Sequence, residues 1–306
     1  MAEKLVEGVH AALLTPRLEN GEVDGKSFRN QLEFLLGKGI RGFALNGATS
    51  EYTVTTPDEL KTILAIAKET LAGRADYICG VGAASLHAAV ELGTLAVAGG
   101  AKGILLPMPY FFPYSQDDLS GFCTEFAKQI PLPILLYNLP QFTSGLQAST
   151  VLNLISSVDN IVGIKDSSGS LDILHTLTVS SLECNRVVGN DSALAPALRE
   201  GVTDGVVSGV SCVLPEVLNA MFEFAPGTDE FENAAQLLDV FIEHLNSFPT
   251  PWGLKFISEF RKITPASFPL PLPAGRAEDG AKLVTWFESW SPAAILSVAA
   301  PVMKTR

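Results

Sequence analysis

One lysine and one tyrosine stand where the sequence could support covalent chemistry on a ketone. Lys165 ends the apolar run 161–164, and Tyr137 ends the apolar run 134–136. A lysine removed from water has a lowered pKa, and its neutral amine can attack a carbonyl carbon to form a Schiff base. A phenol beside it can transfer protons during that reaction. The two residues together indicate Schiff-base chemistry on a ketone.

Each of these residues also has a purely structural explanation. Lys165 could pair with a carboxylate such as Asp166, although strand alternation turns Asp166 to the opposite face. Tyr137 could be a core tyrosine whose hydroxyl bonds to the backbone. We favour the catalytic role because alternation groups Lys165 with Ile161 and Gly163 on one face, which is an interior face if the strands form a barrel. A tyrosine at a neighbouring strand end strengthens this interpretation.

A third candidate is the loop Gly47-Ala48-Thr49-Ser50-Glu51, which follows the apolar run Gly42–Leu45. Thr49 and the surrounding amides could bind a carboxylate, because Gly47 permits an unusual backbone and the loop leads toward a helix N-terminus. An ordinary strand-to-helix turn explains the segment equally well.

The elements that must position these residues are short apolar runs alternating with amphipathic helical segments. Eight runs have strand character: Val9–Leu14, Gly42–Leu45, Tyr77–Val81, Gly103–Leu106, Ile134–Tyr137, Ile161–Lys165, Arg186–Val188 and Gly205–Val207. Continuous apolar strands separated by helices are typical of a parallel sheet covered on both faces, and eight such units predict an α/β fold, a (β/α)8 TIM barrel. The rival, an open doubly wound sheet, usually has a nucleotide-binding loop, and we find no convincing one. In a barrel the carboxyl ends of the strands form the active site, which brings the three candidates together.

The end of the chain contains helical segments only. Asp229–Asn246, Gly253–Arg261 and Glu278–Trp290 have helical patterns, with prolines between them. We therefore divide the chain into a barrel at residues 1–223 and a helical extension packed on it at residues 224–306.

Composition narrows the class of protein. The 306 residues carry a net charge of −12, which disfavours binding to nucleic acid or to an anionic membrane surface. The N-terminal residues show no signal-peptide pattern, and no apolar run approaches the roughly 18 residues that span a bilayer. Without a CxxC pair, the four cysteines are expected to be buried, reduced thiols. These features predict a cytoplasmic protein that does not span a membrane.

The same residues carry a resemblance to a known family. The loop 47–51, Tyr137-Asn138-Leu139-Pro140 and Gly163-Ile164-Lys165-Asp166-Ser167-Ser168 resemble motifs of the dihydrodipicolinate synthase/N-acetylneuraminate lyase family, the class I pyruvate-dependent aldolases, over nearly the whole chain. The resemblance implies a lyase whose partners are pyruvate, as the 2-keto acid, and an aldehyde or a sugar acid. It also implies a homotetramer built as a dimer of dimers.

The resemblance assigns roles to individual residues. Lys165 would form the Schiff base and Tyr137 would be the acid/base phenol, while Thr49 and the amide of Ser50, in the loop that begins at Gly47, would hold the pyruvyl carboxylate. The remaining implied substrate-binding residues are Ser167, Gly189, Asp191, Ser208 and Tyr110.

Departures from the family pattern bear on the substrate. Synthases have an arginine two residues after the motif proline, and a phenyl ring at that position, Phe142, cannot form a bidentate ion pair with a carboxylate. Sialic-acid lyases have a glutamate where this chain has Ser192. We therefore expect an aldolase for a 2-keto-3-deoxy sugar acid. Because Ala48 and Phe111 replace two relay hydroxyls of the family, a non-catalytic pyruvate-binding relative stays open, as does a dehydratase or a condensing synthase that uses the same iminium.

Two other enzyme classes are disfavoured. A metal-dependent aldolase needs a histidine cluster, and the four histidines show no ligand spacing. A nicotinamide enzyme needs a complete glycine motif, and the partial match at residues 80–85 lacks the third glycine. We expect no cofactor and no metal.

Overall fold

The computed structural model describes residues 4–180 and 182–298. Eight parallel strands form a closed barrel in which each strand pairs with the next one along the chain and the last pairs with the first. The strands are β1 (Gly8–Ala12), β2 (Gly42–Leu45), β3 (Asp76–Gly80), β4 (Gly103–Pro107), β5 (Ile134–Asn138), β6 (Ile161–Asp166), β7 (Asn185–Val188) and β8 (Gly205–Ser208). The α-helices are α1 (Gly25–Gly37), α2 (Pro57–Leu71), α3 (Leu86–Gly99), α4 (Gln116–Ala127), α5 (Ala148–Ser157), α6 (Asp172–Val179), α7 (Leu194–Glu200), α8 (Pro215–Glu223), α9 (Asp229–Leu245), α10 (Trp252–Phe260) and α11 (Ala274–Val298). The predicted (β/α)8 barrel is confirmed.

Two apolar layers hold the barrel together. Side chains such as Ala44, Leu135 and Val207 fill its interior, and a larger cluster lies between the strands and the surrounding helices. His10 lies in the interior over Gly42, where burial lowers its pKa to about 4 and keeps the imidazole neutral.

Strand β6 departs from regular alternation. Its pairing with β5 runs Ile134 to Ile161 and then Leu135 to Gly163, so that Val162 is skipped. Ile161 consequently packs in the outer cluster, and its predicted place on the face of Lys165 is wrong. The bulge restores the alternation before the strand end, where the predicted orientation of Lys165 matters.

Two helices begin at the capping residues that their sequences indicate. Thr56 and Glu59 form the capping box of α2, with Pro57 at the first helical position, and Ser115 and Asp118 cap α4 in the same way. Both helices begin directly after a loop at the carboxyl end of a strand, so their caps fix the ends of two loops around the barrel mouth.

The C-terminal helices pack on the barrel and on one another. Helix α9 contacts α8, and α11 contacts α8, α9 and α10. Phe241, Trp286 and Trp290 form the aromatic centre of this contact, with the two tryptophan rings stacked at 4.9 Å. Residues of α9 and α11 belong to the same apolar cluster as the barrel helices. The division at residue 223 stays a prediction, and residues 299–306 lie outside the described part.

The cysteines and the surface add two observations. Cys79, Cys123 and Cys212 are buried free thiols, whereas Cys184 is partly exposed, so the expectation that all four are buried is wrong for Cys184 at the edge of β7. Within residues 4–180 and 182–298, no helix is both long and apolar enough to cross a bilayer.

Candidate active site

The centre of the site is a buried pair at adjacent strand ends. Tyr137 of β5 is the register partner of Lys165 of β6, and Lys165 Nζ lies 2.8 Å from Tyr137 Oη. The lysine is 3% and the tyrosine 2% exposed. The sequence therefore identified two residues that the barrel brings into hydrogen-bond contact.

Burial sets the protonation of both groups. It lowers the pKa of Lys165 to about 7, while the charge of Asp191 acts in the opposite direction. Burial also raises the pKa of Tyr137 well above that of a free phenol. At neutral pH a substantial fraction of Lys165 is thus an uncharged amine beside a protonated phenol.

Asp166 does not provide the counter-ion of Lys165. Its Oδ1 accepts hydrogen bonds from Asn138 Nδ2 and from the Ser168 amide, each at 2.9 Å. Asn138 in turn accepts from the Leu146 amide through its own Oδ1. These bonds hold Asp166 away from Lys165, which removes the structural alternative considered for the lysine.

Gly189 gives the lysine its space. A Cβ atom at this position would lie 2.1 Å from Ser167 Oγ and 2.6 Å from Lys165 Cε. Real Cβ atoms essentially never come this close to a neighbour, so any side chain at this position would force Lys165 and Ser167 to move.

The loop after β2 has an irregular backbone. Asn46 and Glu51 adopt left-handed φ angles of 53° and 55°. Thr49 is buried beside the cavity, whereas the Ser50 hydroxyl donates to the Leu13 carbonyl at 2.6 Å and its amide to the Gly47 carbonyl at 3.1 Å. Ser50 therefore anchors the loop, and Thr49 is the side chain that the loop presents to the cavity.

A buried ion pair ties this loop to the C-terminal helices. Lys255 of α10 donates to the Glu51 carboxylate and to the Ser267 carbonyl. The side chain of Lys255 is 5% exposed and that of Glu51 12% exposed. Burial lowers the pKa of Lys255, and the charge of Glu51 opposes this shift. The pair therefore links the loop after β2 to α10 and to the segment around Ser267.

Two polar atoms near Lys165 have no partner among the described residues. Ser167 Oγ and Asp191 Oδ1 are buried and form no hydrogen bond. Burial raises the pKa of Asp191 to about 6, and the Ser208 hydroxyl, the Val210 amide and Lys165 moderate the rise. Unpaired buried polar atoms are costly, so both atoms are suited to hydrogen-bond a ligand.

These residues line a cavity of about 390 Å³ at the carboxyl ends of the strands. Of the predicted site residues, six line it: Thr49, Tyr137, Lys165, Ser167, Gly189 and Asp191. Four do not: Gly47, Ser50, Ser208 and Tyr110. The first three lie buried behind the lining, and Tyr110 packs its ring 6.1 Å from that of Tyr52.

The outer wall of the cavity contains residues that were not predicted from the sequence. The wall comes from the end of α9, the connection to α10 and the first turn of α10: Ile242, Leu245, Asn246, Phe248, Pro249, Thr250, Pro251, Gly253 and Leu254. From the barrel side, Leu139, Gln141, Phe142 and Asn190 complete it. The proline-rich connection was visible in the sequence, but nothing there indicated that it closes over the barrel mouth.

A larger cavity of about 700 Å³ lies at the opposite end of the barrel. Among its lining side chains, Lys4 and Arg186 pair with Asp204, and Lys102 pairs with Asp76. Barrel enzymes carry their chemistry at the carboxyl ends of the strands, so we assign the site to the smaller cavity. Nowhere among the described residues do three His, Cys, Asp or Glu side chains form a group that could hold a metal ion.

Comparison with known proteins places this geometry among relatives. A model of the dihydrodipicolinate synthetase family matches residues 5–274. A 4-hydroxy-tetrahydrodipicolinate synthase of Campylobacter jejuni (strain RM1221) is 32% identical over 227 residues, which cover 74% of this chain and 76% of the relative. Another, from Methanococcus maripaludis, is 30% identical over 245 residues, 80% of this chain and 81% of the relative.

Solved structures have the same fold. Dihydrodipicolinate synthase from Aquifex aeolicus superposes with a TM-score of 0.86 at 27% identity, covering 94% of this chain and 98% of that structure. N-acetylneuraminate lyase from Mycoplasma synoviae superposes with a TM-score of 0.83 at 20% identity, covering 94% and 99%. At that identity the lyase shows the shared fold alone.

Proposed function

The chain belongs to the dihydrodipicolinate synthetase family, whose members are class I Schiff-base lyases and aldolases, and from this premise we propose that it cleaves or forms a 2-keto-3-deoxy sugar acid through pyruvate bound to Lys165. One observation carries the proposal. The Lys165 amine is buried, has a pKa lowered to about 7, and lies 2.8 Å from the Tyr137 hydroxyl.

The proposed cleavage proceeds through an iminium. The Lys165 amine attacks C2 of the sugar acid, water leaves, and the iminium becomes an electron sink for the breaking C3–C4 bond. Tyr137 relays the proton of the C4 hydroxyl as the aldehyde departs. The remaining enamine takes up a proton at C3, and hydrolysis releases pyruvate. Thr49 is the proposed ligand of the pyruvyl carboxylate.

The polar lining supports a hydroxylated substrate. Ser167 Oγ and Asp191 Oδ1 are buried without partners, and substrate hydroxyls would satisfy both. Gly189 lies beside them in the lining, and Ser208, buried behind it, acts on the Asp191 carboxylate through its hydroxyl.

A condensing synthase is the second candidate, because the curated relatives reported above are named 4-hydroxy-tetrahydrodipicolinate synthase. The cavity disfavours it. Lys165 is the one lysine or arginine among its described lining residues, and Phe142 stands where a synthase has its carboxylate-binding arginine. A second substrate with a carboxylate would have no cation to pair with.

Borohydride trapping tests the proposal. Reduction of the enzyme with pyruvate present should add one pyruvate-derived mass to the peptide that contains Lys165, and Lys165→Arg should abolish the adduct. Absence of label on Lys165 in the unaltered enzyme would end the proposal. Tyr137→Phe should still be labelled but should turn over sugar acids about 10² to 10⁴-fold more slowly.

A substrate panel separates the candidates. Pyruvate release is measured from a series of 2-keto-3-deoxy acids, and water loss from the same acids reports a dehydratase. Formation of 4-hydroxy-tetrahydrodipicolinate is assayed in parallel. Labelling of Lys165 without turnover of any of these compounds would favour the non-catalytic pyruvate-binding alternative.

We further propose the homotetramer that the family resemblance implies. Phe111 and Phe112, 85% and 62% exposed, lie edge to face at 4.9 Å, and Phe142 is 59% exposed. Exposed aromatic side chains at adjacent loops are typical of a protein–protein contact. We call Phe111, Phe112 and Phe142 the aromatic patch.

A further inference from the structure

Asp191 is the one carboxylic acid among the described residues that line the cavity. It follows β7 at the start of a short 3-10 helix, lines the cavity, and keeps Oδ1 buried without a partner. Lys165 lines the same cavity and lies against Gly189, two residues before Asp191, so the carboxylate is placed near the reacting amine. A carboxylate in such a position either binds a ligand or moves a proton.

Few groups around Lys165 can change protonation near neutral pH. Burial raises the pKa values of Tyr137 and of Cys212, so neither group is ionised near neutral pH. Ser167 is an alcohol, and the Ala48 side chain is a methyl group without an exchangeable proton. Asp191 lies in the cavity wall with Oδ1 unpaired, and burial raises its pKa to about 6, so it can exist as a carboxylate or as a carboxylic acid near neutral pH.

We propose that Asp191 is the proton shuttle for Schiff-base formation on Lys165. The inference rests on the proposed function, because it concerns the step in which pyruvate is captured. It adds catalysis to a residue for which the family resemblance implies only the binding of substrate hydroxyls.

The protons that Asp191 takes and gives balance over Schiff-base formation. Asp191 first takes one proton from the Lys165 ammonium, leaving a neutral amine and a carboxylic acid. The amine attacks C2, and a proton passes from nitrogen to oxygen to give the carbinolamine. Asp191 then protonates the carbinolamine hydroxyl, which leaves as water while the nitrogen lone pair forms the iminium. Asp191 ends as the carboxylate it was at the start.

The geometry leaves room for this exchange. In the described part of the chain Asp191 and Lys165 form no direct ion pair, although each influences the pKa of the other. Both line the same cavity. In the proposal, the carbonyl oxygen of pyruvate, later the carbinolamine hydroxyl, lies in this cavity and receives its proton there from Asp191.

Rapid-quench trapping on Asp191→Asn tests the shuttle. Enzyme and pyruvate are mixed, quenched with borohydride at increasing times, and the Lys165 adduct is quantified by mass. We expect Schiff-base formation to be at least about 10²-fold slower than in the unaltered enzyme, with the same final fraction trapped. A purely electrostatic role gives the opposite sign, because loss of the Asp191 charge lowers the Lys165 pKa and makes more amine neutral.

Chemical rescue supplies the second arm. Asp191→Ala should be equally slow, and added formate should restore part of the rate by replacing the missing carboxylate. Asp172→Asn, which removes an exposed acid at the start of α6, is the matched control and should match the unaltered enzyme.

The outcomes separate the two hypotheses. If the unaltered enzyme is not labelled on Lys165, the proposed function fails. If it is labelled and Asp191→Asn reacts within threefold of its rate, or faster, only the shuttle is overturned. A slow variant with a reduced final fraction and no response to formate also overturns it, since it indicates a structural defect.

Discussion

Substitution of Gly189 by alanine should disable the site while leaving the fold intact. The added methyl group would approach Lys165 Cε to 2.6 Å, about 0.8 Å closer than the 3.4 Å at which ordinary contact begins, and Ser167 Oγ to 2.1 Å. The lysine has to move by a comparable distance, and it loses its 2.8 Å contact with Tyr137. A displacement of about 1 Å at a reacting group can cost about 10²-fold in rate.

The same substitution should affect the stability of the fold much less than it affects the reaction rate. Overpacking a tight site costs about 1–3 kcal/mol, which leaves a protein of typical stability folded. We therefore expect Schiff-base trapping with pyruvate to slow by about 10²-fold, at a urea midpoint only modestly lower than that of the unaltered enzyme. Gly121→Ala is the matched control, because a Cβ at this exposed helical position meets nothing within 4 Å. Trapping by a folded Gly189→Ala enzyme within threefold of the unaltered rate would refute the argument that this glycine makes space for the lysine.

Three further predictions follow from other features. Only a neutral amine reacts with a small anhydride, and burial lowers the pKa of Lys165 to about 7, so Lys165 should be acetylated half-maximally near pH 7. Exposed Lys61, whose pKa is raised by Asp58, should need alkaline pH. Peptide mass spectrometry measures both pH profiles, and equal profiles would contradict the argument that burial lowers the Lys165 pKa. Lys255→Met should lower the free energy of unfolding by about 3–5 kcal/mol, because it leaves the largely buried Glu51 carboxylate without a partner. Adding Glu51→Gln should restore part of this lost stability, as measured by urea titration. If the losses of the two variants simply add, the two residues are not energetically coupled. The double variant Phe111→Ser with Phe112→Ser should have a lower molar mass than a tetramer in light scattering. Leu270→Ser, at an exposed leucine outside the aromatic patch, should leave the molar mass unchanged. An unchanged molar mass in the double variant would show that the aromatic patch is not needed for assembly.

The features that could be predicted from the sequence are those that short stretches of chain determine. Capping boxes, apolar runs and strand-end residues depend on short stretches of chain, so the eight units and the meeting of Tyr137 with Lys165 were predictable. The bulge that turns Ile161 outward was not, because it depends on how β6 pairs with β5. The same limit applies to Gly189, whose importance comes from a lysine on a neighbouring strand.

The site was predicted on the barrel side only. The residues of the α9–α10 connection reach the cavity through packing between distant segments, and no periodicity in that stretch indicates it. The family resemblance implied that the Ser50 amide binds the pyruvyl carboxylate, and this role stays a prediction. In the structure the Ser50 hydroxyl donates to the Leu13 carbonyl and its amide to the Gly47 carbonyl.

The outer wall of the cavity and Lys165, the proposed Schiff-base residue, come from different parts of the chain. Lys165 lies at a strand end, whereas Phe248 and Thr250 belong to the α9–α10 connection on the other side of the cavity. Under the proposed mechanism, substitutions near residue 250 would therefore change the choice of aldehyde without changing the residues of the covalent step. An engineer who wants a different carbon–carbon bond from this scaffold should randomise that loop first.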